Sequence, residues 1–178
     1  LVRRRRRGEP IAYLVGTREF YGLALDVTRA VLIPRPETEL LVELALERAA
    51  PNSRILDLGT GSGAIAVALA HTRPDLAVTA VDLSSAALAL AQRNAERHRA
   101  EIRFLRSDWF GALQGERFDL AVANPPYIVA GDPHLAQGDL RFEPQDALTD
   151  HGDGLGALRR IIGGAAEHLA PGGTVLLE

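Results

Sequence analysis

The short sequence "NPPY" (Asn124 to Tyr127) directly follows an apolar stretch. It contains an amide side chain, two prolines, which have no backbone N–H, and a phenol. The side-chain carbonyl of Asn124 and the backbone carbonyl of Pro125 are two acceptors that a rigid proline turn holds in fixed directions. A planar amide or aromatic amine carries two N–H donors that match them, and the Tyr127 ring can stack on such a flat group. The motif therefore indicates a site, formed by Asn124, Pro125, Pro126 and Tyr127, that orients a planar nitrogen. A plain strand-ending turn is the alternative.

A glycine-rich segment, "DLGTGSGAIA", supplies a second set of residues for chemistry. We expect its cofactor-binding residues to be Asp57, Leu58, Gly59, Thr60, Gly61 and Gly63. The spacing Gly59-x-Gly61-x-x-Ala64 also satisfies a dinucleotide fingerprint, so NAD is an alternative ligand. Asp57, however, precedes the first glycine by two residues, where a carboxylate would face the negative charge of a pyrophosphate. The same carboxylate suits a cationic ligand such as S-adenosylmethionine.

Two further acidic residues follow predicted strands. Asp82 lies 25 residues after Asp57, where it can accept hydrogen bonds from both ribose hydroxyls, although NAD would use that carboxylate as well. Asp108 can accept a hydrogen bond from an adenine amino group, and Trp109 can cover the ring face, unless Trp109 is a plain core aromatic. Three strand ends that each finish in an acid together predict an S-adenosylmethionine site.

Alternating strand and helix patterns from residue 52 onward place these residues. Apolar strand patterns cover residues 54–59, 77–83, 101–108, 117–126 and 172–178, and helical patterns cover 62–72, 84–99 and 154–170. This alternation predicts an α/β fold with a parallel sheet covered on both faces, whose ligands bind beyond the carboxyl ends of the strands. Before it, residues 16–33 have the pattern of a hairpin, and a helix follows Pro36.

Composition excludes several kinds of site. The chain has no Cys, which excludes disulfides, thiolate ligands and Cys nucleophiles, and its five His (71, 98, 134, 151 and 168) have no ligand spacing, so we expect no metal. No apolar run approaches the roughly 18 residues of a membrane span, and no signal-peptide pattern is present. These observations make a cytoplasmic location the default expectation, with no membrane partner.

Charge is distributed unevenly along the 178 residues. Residues 1–10 carry five Arg and one Glu, a net charge of +4, so the remaining 168 residues carry −7 of the overall −3. An acidic body argues against a large phosphate-binding surface. The run Arg3 to Arg7 is either a nucleic-acid patch or, as we favour, the solvated last turn of a helix.

The combination of "NPPY" and "DLGTGSG" resembles amino methyltransferases that act on planar nitrogen. The flanking segments "EPIAYLVGTREFYGL", "VLIPRPETELLVE" and "DPHLAQGDLRFEPQDAL" closely resemble the HemK/PrmC family, the peptide chain release factor glutamine-N5 methyltransferases, over nearly the whole chain. The resemblance implies a class I, Rossmann-like S-adenosylmethionine-dependent methyltransferase fold. It also implies methylation of the glutamine in the GGQ motif of release factors, with no direct nucleic-acid partner.

Position by position, the resemblance implies a set of site residues. The cofactor would contact Asp57 to Gly61, Asp82, Trp109 and Asn124, and the substrate glutamine would be held by Asn124, Pro125, Pro126 and Tyr127. Pro36, Glu37 and Thr38 would close over the methionine end of the cofactor, although helix capping is an alternative role for them. The segment 129–150 would shape the entrance, with Phe142 and Glu143 as contacts.

The family pattern also sets the expected domain organisation. Residues 1–36 would be the end of an N-terminal helical region plus the hairpin linker, and residues 37–178 the methyltransferase domain. Family members have a larger N-terminal helical domain and C-terminal antiparallel strands, which this sequence lacks, so we expect it to be part of a longer protein.

Three alternatives remain open at this point. A sister enzyme that methylates a glutamine in a ribosomal protein has the same chemistry and a different partner. A DNA adenine-N6 methyltransferase should carry a target-recognition domain and a basic face. An S-adenosylmethionine-binding module without catalysis is a nonenzyme alternative, against which the intact "NPPY" argues.

Overall fold

A computed structural model of the chain describes all 178 residues. In chain order its helices are α1 Val2–Arg6, α2 Ile11–Val15, α3 Glu39–Arg48, α4 Ala64–Thr72, α5 Ser85–His98 and α6 Gly156–His168. Its strands are β1 Thr17–Phe20, β2 Leu23–Asp26, β3 Arg54–Leu58, β4 Ala77–Asp82, β5 Ile102–Arg106, β6 Phe118–Ala123 and β7 Leu169–Leu177. None of the six helices is long and apolar enough to cross a membrane.

Five parallel strands form the central sheet, in the order β5-β4-β3-β6-β7. The chain builds outward from β3 to β5 and then returns to the other side of β3 with β6, so the strand order reverses between β3 and β6. In open α/β sheets a ligand crevice lies at this switch point, beyond the carboxyl ends of the strands. The predicted parallel sheet and its five strands are confirmed. β7 begins at Leu169, three residues before the predicted start.

Burial explains why β3 is the centre of the sheet. Residues 55–58 are all buried, and Ile55 and Leu56 belong to hydrophobic clusters on opposite faces of the strand. Side chains alternate between faces along a strand, so an unbroken apolar run fits a strand covered on both sides. Helix α4 supplies one cover and is itself buried from Ala64 to Ala70.

The predicted hairpin is present but shorter than residues 16–33. Tyr21 and Gly22 both have positive φ, 52° and 74°, as expected for the two-residue turn that suits the twist of paired strands. Phe20 and Leu25 are buried in the same cluster as α4, so the hairpin packs directly on the α/β body. The following segment, 27–35, adds no strand because its apolar side chains instead pack against α2 and α5.

Helix termini follow the sequence signals. The hydroxyl of Ser84 accepts a hydrogen bond from the Ala87 N–H at 3.2 Å, so Ser84 is the N-cap of α5, at the first residue of the predicted helical pattern 84–99. Gly63 precedes α4 with φ of 82°, and a Cβ added to it would lie 3.0 Å from the Ala91 Cβ. The close approach of α4 and α5 therefore requires a glycine at this position.

The segment after "NPPY" is ordered by short turns rather than by long elements. Three 3-10 turns cover Pro133–Ala136, Leu140–Phe142 and Gln145–Ala147. Ile128 forms an isolated parallel bridge with Thr149, which closes this segment into a loop at the edge of the sheet.

Candidate active site

A cavity of about 740 Å³ opens at the switch point between β3 and β6. Its walls come from the carboxyl ends of four strands, from residues before α3 and from the start of α6. The predicted site residues that line it are Gly59, Thr60, Gly61, Asp82, Asp108, Trp109, Asn124, Pro125, Pro126 and Thr38. The fold therefore brings most, but not all, of the expected cofactor and substrate residues to one cavity.

The glycine-rich segment forms a tight turn between β3 and α4. Gly59 and Gly61 have positive φ, 73° and 56°, and the N–H groups of Gly59 and Thr60 both donate to the Val81 carbonyl at 2.9 Å. The Gly61 N–H donates instead to the Asp82 carboxylate at 2.9 Å. The turn is thus fixed to the end of β4, and its backbone forms one wall of the cavity.

Asp57 lies beneath this turn and does not line the cavity. Its side chain is buried and accepts a hydrogen bond from the Thr60 hydroxyl at 2.6 Å, while its Oδ1 has no partner. Burial, partly offset by the Thr60 hydroxyl, raises the pKa of Asp57 to about 7. Asp57 therefore supports the turn from below, and its predicted contact with a cofactor stays a prediction.

Asp82 faces the cavity from the end of β4. Its two carboxylate oxygens accept one backbone N–H each, from Gly61 at 2.9 Å and from Ser84 at 2.8 Å. Each carboxylate oxygen keeps a free lone pair, which is what two adjacent ribose hydroxyls require. Burial raises the pKa of Asp82 above its ordinary value, and the backbone N–H groups of Ser84, Gly61 and Leu83 oppose that shift.

Asp108 and Trp109 occupy the far end of the cavity. A Cβ added to Gly59 would lie 3.5 Å from the Trp109 ring, which also packs against the apolar cluster around Leu56 and Phe110. Asp108 is paired with Arg160 of α6 at 2.7 Å through one carboxylate oxygen, leaving the other oxygen without a partner. No sequence pattern indicates Arg160, because its contact with Asp108 depends on where α6 packs.

Asn124 and the two prolines continue directly from β6 into the cavity wall. The side-chain N–H of Asn124 donates to the Thr38 hydroxyl at 3.1 Å, so its Oδ1 is the end of the amide that stays unpaired. Pro125 and Pro126 line the cavity beside it. The Asn124 carbonyl oxygen is thus an available acceptor at the predicted planar-nitrogen site.

Some predicted residues do not line the cavity. Leu58 is fully buried in the core and Gly63 lies against α5, while Tyr127, which follows Pro126, has 53% of its surface exposed. The remaining predicted residues outside the cavity wall are Pro36, Glu37, Phe142 and Glu143. Glu143 is buried and accepts hydrogen bonds from the Arg35 guanidinium and from the Ile33 N–H at 3.1 Å. It therefore ties the entrance segment to the residues before α3, and its predicted contact with a substrate stays a prediction.

Asp150 completes the cavity at the start of α6. Its carboxylate accepts three backbone N–H groups, from Gly152 and Gly154 at 2.9 Å and from Gly156 at 2.7 Å. These donors hold the pKa of Asp150 below its ordinary value. The spacing of the glycines after Asp150 in "DHGDGLG" could have identified this turn from the sequence. No group of three or more His, Cys, Asp or Glu side chains is placed to hold a metal ion.

Comparison with known proteins identifies the family. A family model described as the methyltransferase small domain matches residues 36–177. The release factor glutamine methyltransferase of Bordetella pertussis is 60% identical over the whole chain, which covers 67% of that relative. This chain belongs to the release factor glutamine methyltransferase family. The Escherichia coli member is 55% identical, and the chain covers 65% of it, so the chain spans about two thirds of the length of the relatives it matches.

Solved structures support the fold. A T. thermophilus 16S rRNA methyltransferase, solved in complex with AdoMet and guanosine, aligns with a TM-score of 0.67 and 26% identity over 90% of this chain and 40% of its own. A methyltransferase from Pyrococcus furiosus aligns with a TM-score of 0.65 over 99% of this chain and 76% of its own, at 21% identity. The family member described here therefore has the Rossmann-like methyltransferase fold expected from its sequence.

Proposed function

We propose that this chain carries the catalytic part of an S-adenosylmethionine-dependent enzyme that methylates the side-chain N5 of the glutamine in the GGQ motif of peptide chain release factors. The observation that carries the proposal is the position of Asn124. Asn124 lines the same cavity as Asp82 and Asp108 and its Oδ1 has no partner in the protein, so acceptors for a planar amide and acceptors for an adenosine meet at one switch point.

The cavity residues fit the proposed cofactor. Asp82 has a free lone pair on each oxygen for two ribose hydroxyls, and Asp108 keeps one oxygen for an exocyclic amine. The Trp109 ring beside Gly59 offers a flat apolar surface for a purine. S-adenosylmethionine supplies an electrophilic methyl group on a sulfonium, which reacts by direct displacement.

The protein residues would then bind and orient the substrate amide. Asn124 Oδ1 accepts one N–H of the amide and the Pro125 carbonyl accepts the other, which fixes the plane of the nitrogen. Proline restricts the backbone of this turn, so the two acceptors need little reorganisation when substrate binds. Tyr127, at 53% exposure, is free to pack on the flat group from outside. A strong base is not required, because the amide proton can leave after the methyl group has been transferred.

Relatives favour a release factor over the other planar-nitrogen substrates. Eight relatives at 54% to 60% identity are each called release factor glutamine methyltransferase. The acidic body, at −7 outside residues 1–10, disfavours DNA as a substrate. Since the proposed partner is a translation factor, we also propose a cytoplasmic location.

A panel of acceptors tests the proposal. The complete protein that contains this chain is incubated with labelled S-adenosylmethionine and either purified release factor, its GGQ→GGA variant, a ribosomal protein substrate or adenine-containing DNA. We expect label on the wild-type release factor alone. Label that persists on the GGA variant, or that appears on DNA or only on the ribosomal protein, would contradict the proposal.

A further inference from the structure

The turn that leads into α6 packs against the last residue of "NPPY". Gly154 is buried in this turn and has a positive φ of 78°. A Cβ added to Gly154 would overlap the Tyr127 carbonyl oxygen and would lie 3.2 Å from the Tyr127 carbonyl carbon. The obstructing atoms belong to the backbone, so a side chain at Gly154 would require one of the two segments to move. Only a glycine allows this close approach.

The turn that contains Gly154 is itself fixed by one carboxylate. Asp150 Oδ1 accepts the N–H groups of Gly152 and Gly154, both at 2.9 Å, and Asp150 Oδ2 accepts the N–H of Gly156 at 2.7 Å. Gly156 is the first residue of α6, so the same carboxylate joins the turn to that helix. Asp150 therefore holds in place the residue that contacts Tyr127.

The chain on both sides of Tyr127 is also restricted. Two prolines with a fixed φ precede it. After it, the Ile128 N–H donates to the Leu148 carbonyl and the Ala130 N–H donates to the Gly152 carbonyl, both at 2.9 Å. The Tyr127 side chain, in contrast, is half-exposed. Because the allowed rotamers of a side chain depend on its backbone, the position of the Tyr127 ring depends on these backbone contacts.

We propose that Gly154 is a positioning residue that, together with Asp150, fixes the backbone at Tyr127 and thereby places the Tyr127 ring against the substrate amide. The inference rests on the proposed function, in which Tyr127 packs on that amide. Gly154 does not line the cavity, so it acts through Tyr127 and not by touching the cofactor.

A matched pair of glycine variants of the complete protein tests this role. Gly115 has a φ of 74°, a Cβ on it would meet nothing within 4 Å, and it lies before β6, away from the cavity. Gly154→Ala and Gly115→Ala therefore introduce similar backbone strain, but only Gly154→Ala displaces Tyr127. We expect kcat on release factor to be roughly tenfold lower in Gly154→Ala than in Gly115→Ala. The dissociation constant for S-adenosylmethionine, measured by calorimetry, should differ by less than about threefold.

A double-mutant cycle tests whether Gly154 acts through the Tyr127 ring. In a Tyr127→Ala background the ring is already absent, so adding Gly154→Ala should lower kcat by less than about twofold further. A further loss as large as in the wild-type background would show that Gly154 acts elsewhere and would overturn the inference.

Asp150→Asn tests the same support without an added methyl group, and it carries the test if Gly154→Ala does not fold. An amide has one acceptor oxygen in place of two, so at least one of the three N–H groups loses its partner. We expect kcat to fall by roughly threefold, and by less than twofold in the Tyr127→Ala background. A kcat equal to that of Gly115→Ala in both variants, or a tenfold weaker affinity for S-adenosylmethionine, would overturn the inference. A wild-type protein that fails to methylate the GGQ substrate would instead overturn the proposed function.

Discussion

At the scale of single residues, the proposed function divides the site into side chains that would bind the cofactor and side chains that would hold the substrate. Asp82 faces the cavity from β4 and Asn124 from the end of β6, on either side of the glycine turn. Asp82 would accept hydrogen bonds from the cofactor and Asn124 from the substrate. Substitutions at the two positions should therefore affect cofactor binding and turnover, respectively.

Alanine substitutions should therefore have opposite kinetic signatures. We expect Asp82→Ala to weaken S-adenosylmethionine binding by roughly 1.5–3 kcal/mol, the value of hydrogen bonds to a charged group. Asn124→Ala should leave cofactor affinity nearly intact and lower turnover, because one substrate N–H loses its acceptor. Calorimetry and single-turnover label transfer measure the two effects, and each variant is the control for the other. Normal turnover in Asn124→Ala would show that its carbonyl does not orient the substrate.

The buried Asp57 gives stability a distinct pH dependence. Its pKa of about 7 in the folded protein exceeds its ordinary value of 3.8, so between these values the folded state holds a proton that the unfolded state has lost. The contribution of Asp57 to the free energy of unfolding must therefore fall as pH rises, by about 1.4 kcal/mol per pH unit. Asp57→Asn removes this dependence. We therefore expect the free energy of unfolding of the variant to rise relative to that of wild type between pH 5 and pH 7.

Urea unfolding between pH 5 and pH 7 measures the difference in the free energy of unfolding between Asp57→Asn and wild type. Asp75→Asn is the control. Arg73 holds the pKa of Asp75 below its ordinary value, so Asp75 is ionised in both states between pH 5 and pH 7. The difference in the free energy of unfolding between Asp75→Asn and wild type should therefore not change with pH in this range. A flat difference for Asp57→Asn as well would mean that Asp57 is ionised in the folded protein at pH 5.

At the scale of secondary-structure elements, local sequence patterns predicted most of what is observed. The five strands of the central sheet correspond to short apolar runs in the sequence. The N-cap at Ser84 and the turn at Tyr21 and Gly22 depend only on neighbouring residues. The hairpin was predicted too long because β-branched residues after Asp26 fit a strand equally well. That segment forms no strand because its apolar side chains pack against α2 and α5.

Contacts between distant elements were not predictable in the same way. Neither the ion pair between Arg160 and Asp108 nor the bond between Asn124 and Thr38 has a periodic or spacing signal. Both depend on how α6 and the turn before α3 pack beside the sheet. The cavity-lining acids were found because parallel strands bring their carboxyl ends to one edge.

Helix packing at the glycine turn can be tested with a matched pair of glycines. Gly63 and Gly16 have the same φ, 82°, but a Cβ on Gly63 would meet Ala91 at 3.0 Å, whereas a Cβ on Gly16 would meet nothing within 4 Å. Gly16→Ala should cost only the backbone strain, about 1–2 kcal/mol. We expect Gly63→Ala to cost roughly 1–3 kcal/mol more, because α4 and α5 must separate. Equal losses in urea unfolding would show that the two helices can accommodate a methyl group.

At the scale of the whole molecule, the hairpin, the sheet and the segment after "NPPY" meet around one cavity. Asn94 of α5 is fully buried and donates to the carbonyls of Asp26 and Ser62, at 3.0 and 2.8 Å, which joins the hairpin to the glycine turn. Glu143 joins the entrance segment to Arg35. Buried polar contacts thus join the elements around the cavity, in addition to the apolar core.

Location of the methyl group tests the proposed function most directly. Release factor is incubated with the complete protein and S-adenosylmethionine, digested, and sequenced by tandem mass spectrometry. We expect one added methyl group on the glutamine of the GGQ peptide with wild type, and much less with Asn124→Ala. A methyl group on any other residue, or none on that glutamine with wild type, would contradict the proposal that this cavity methylates a glutamine amide.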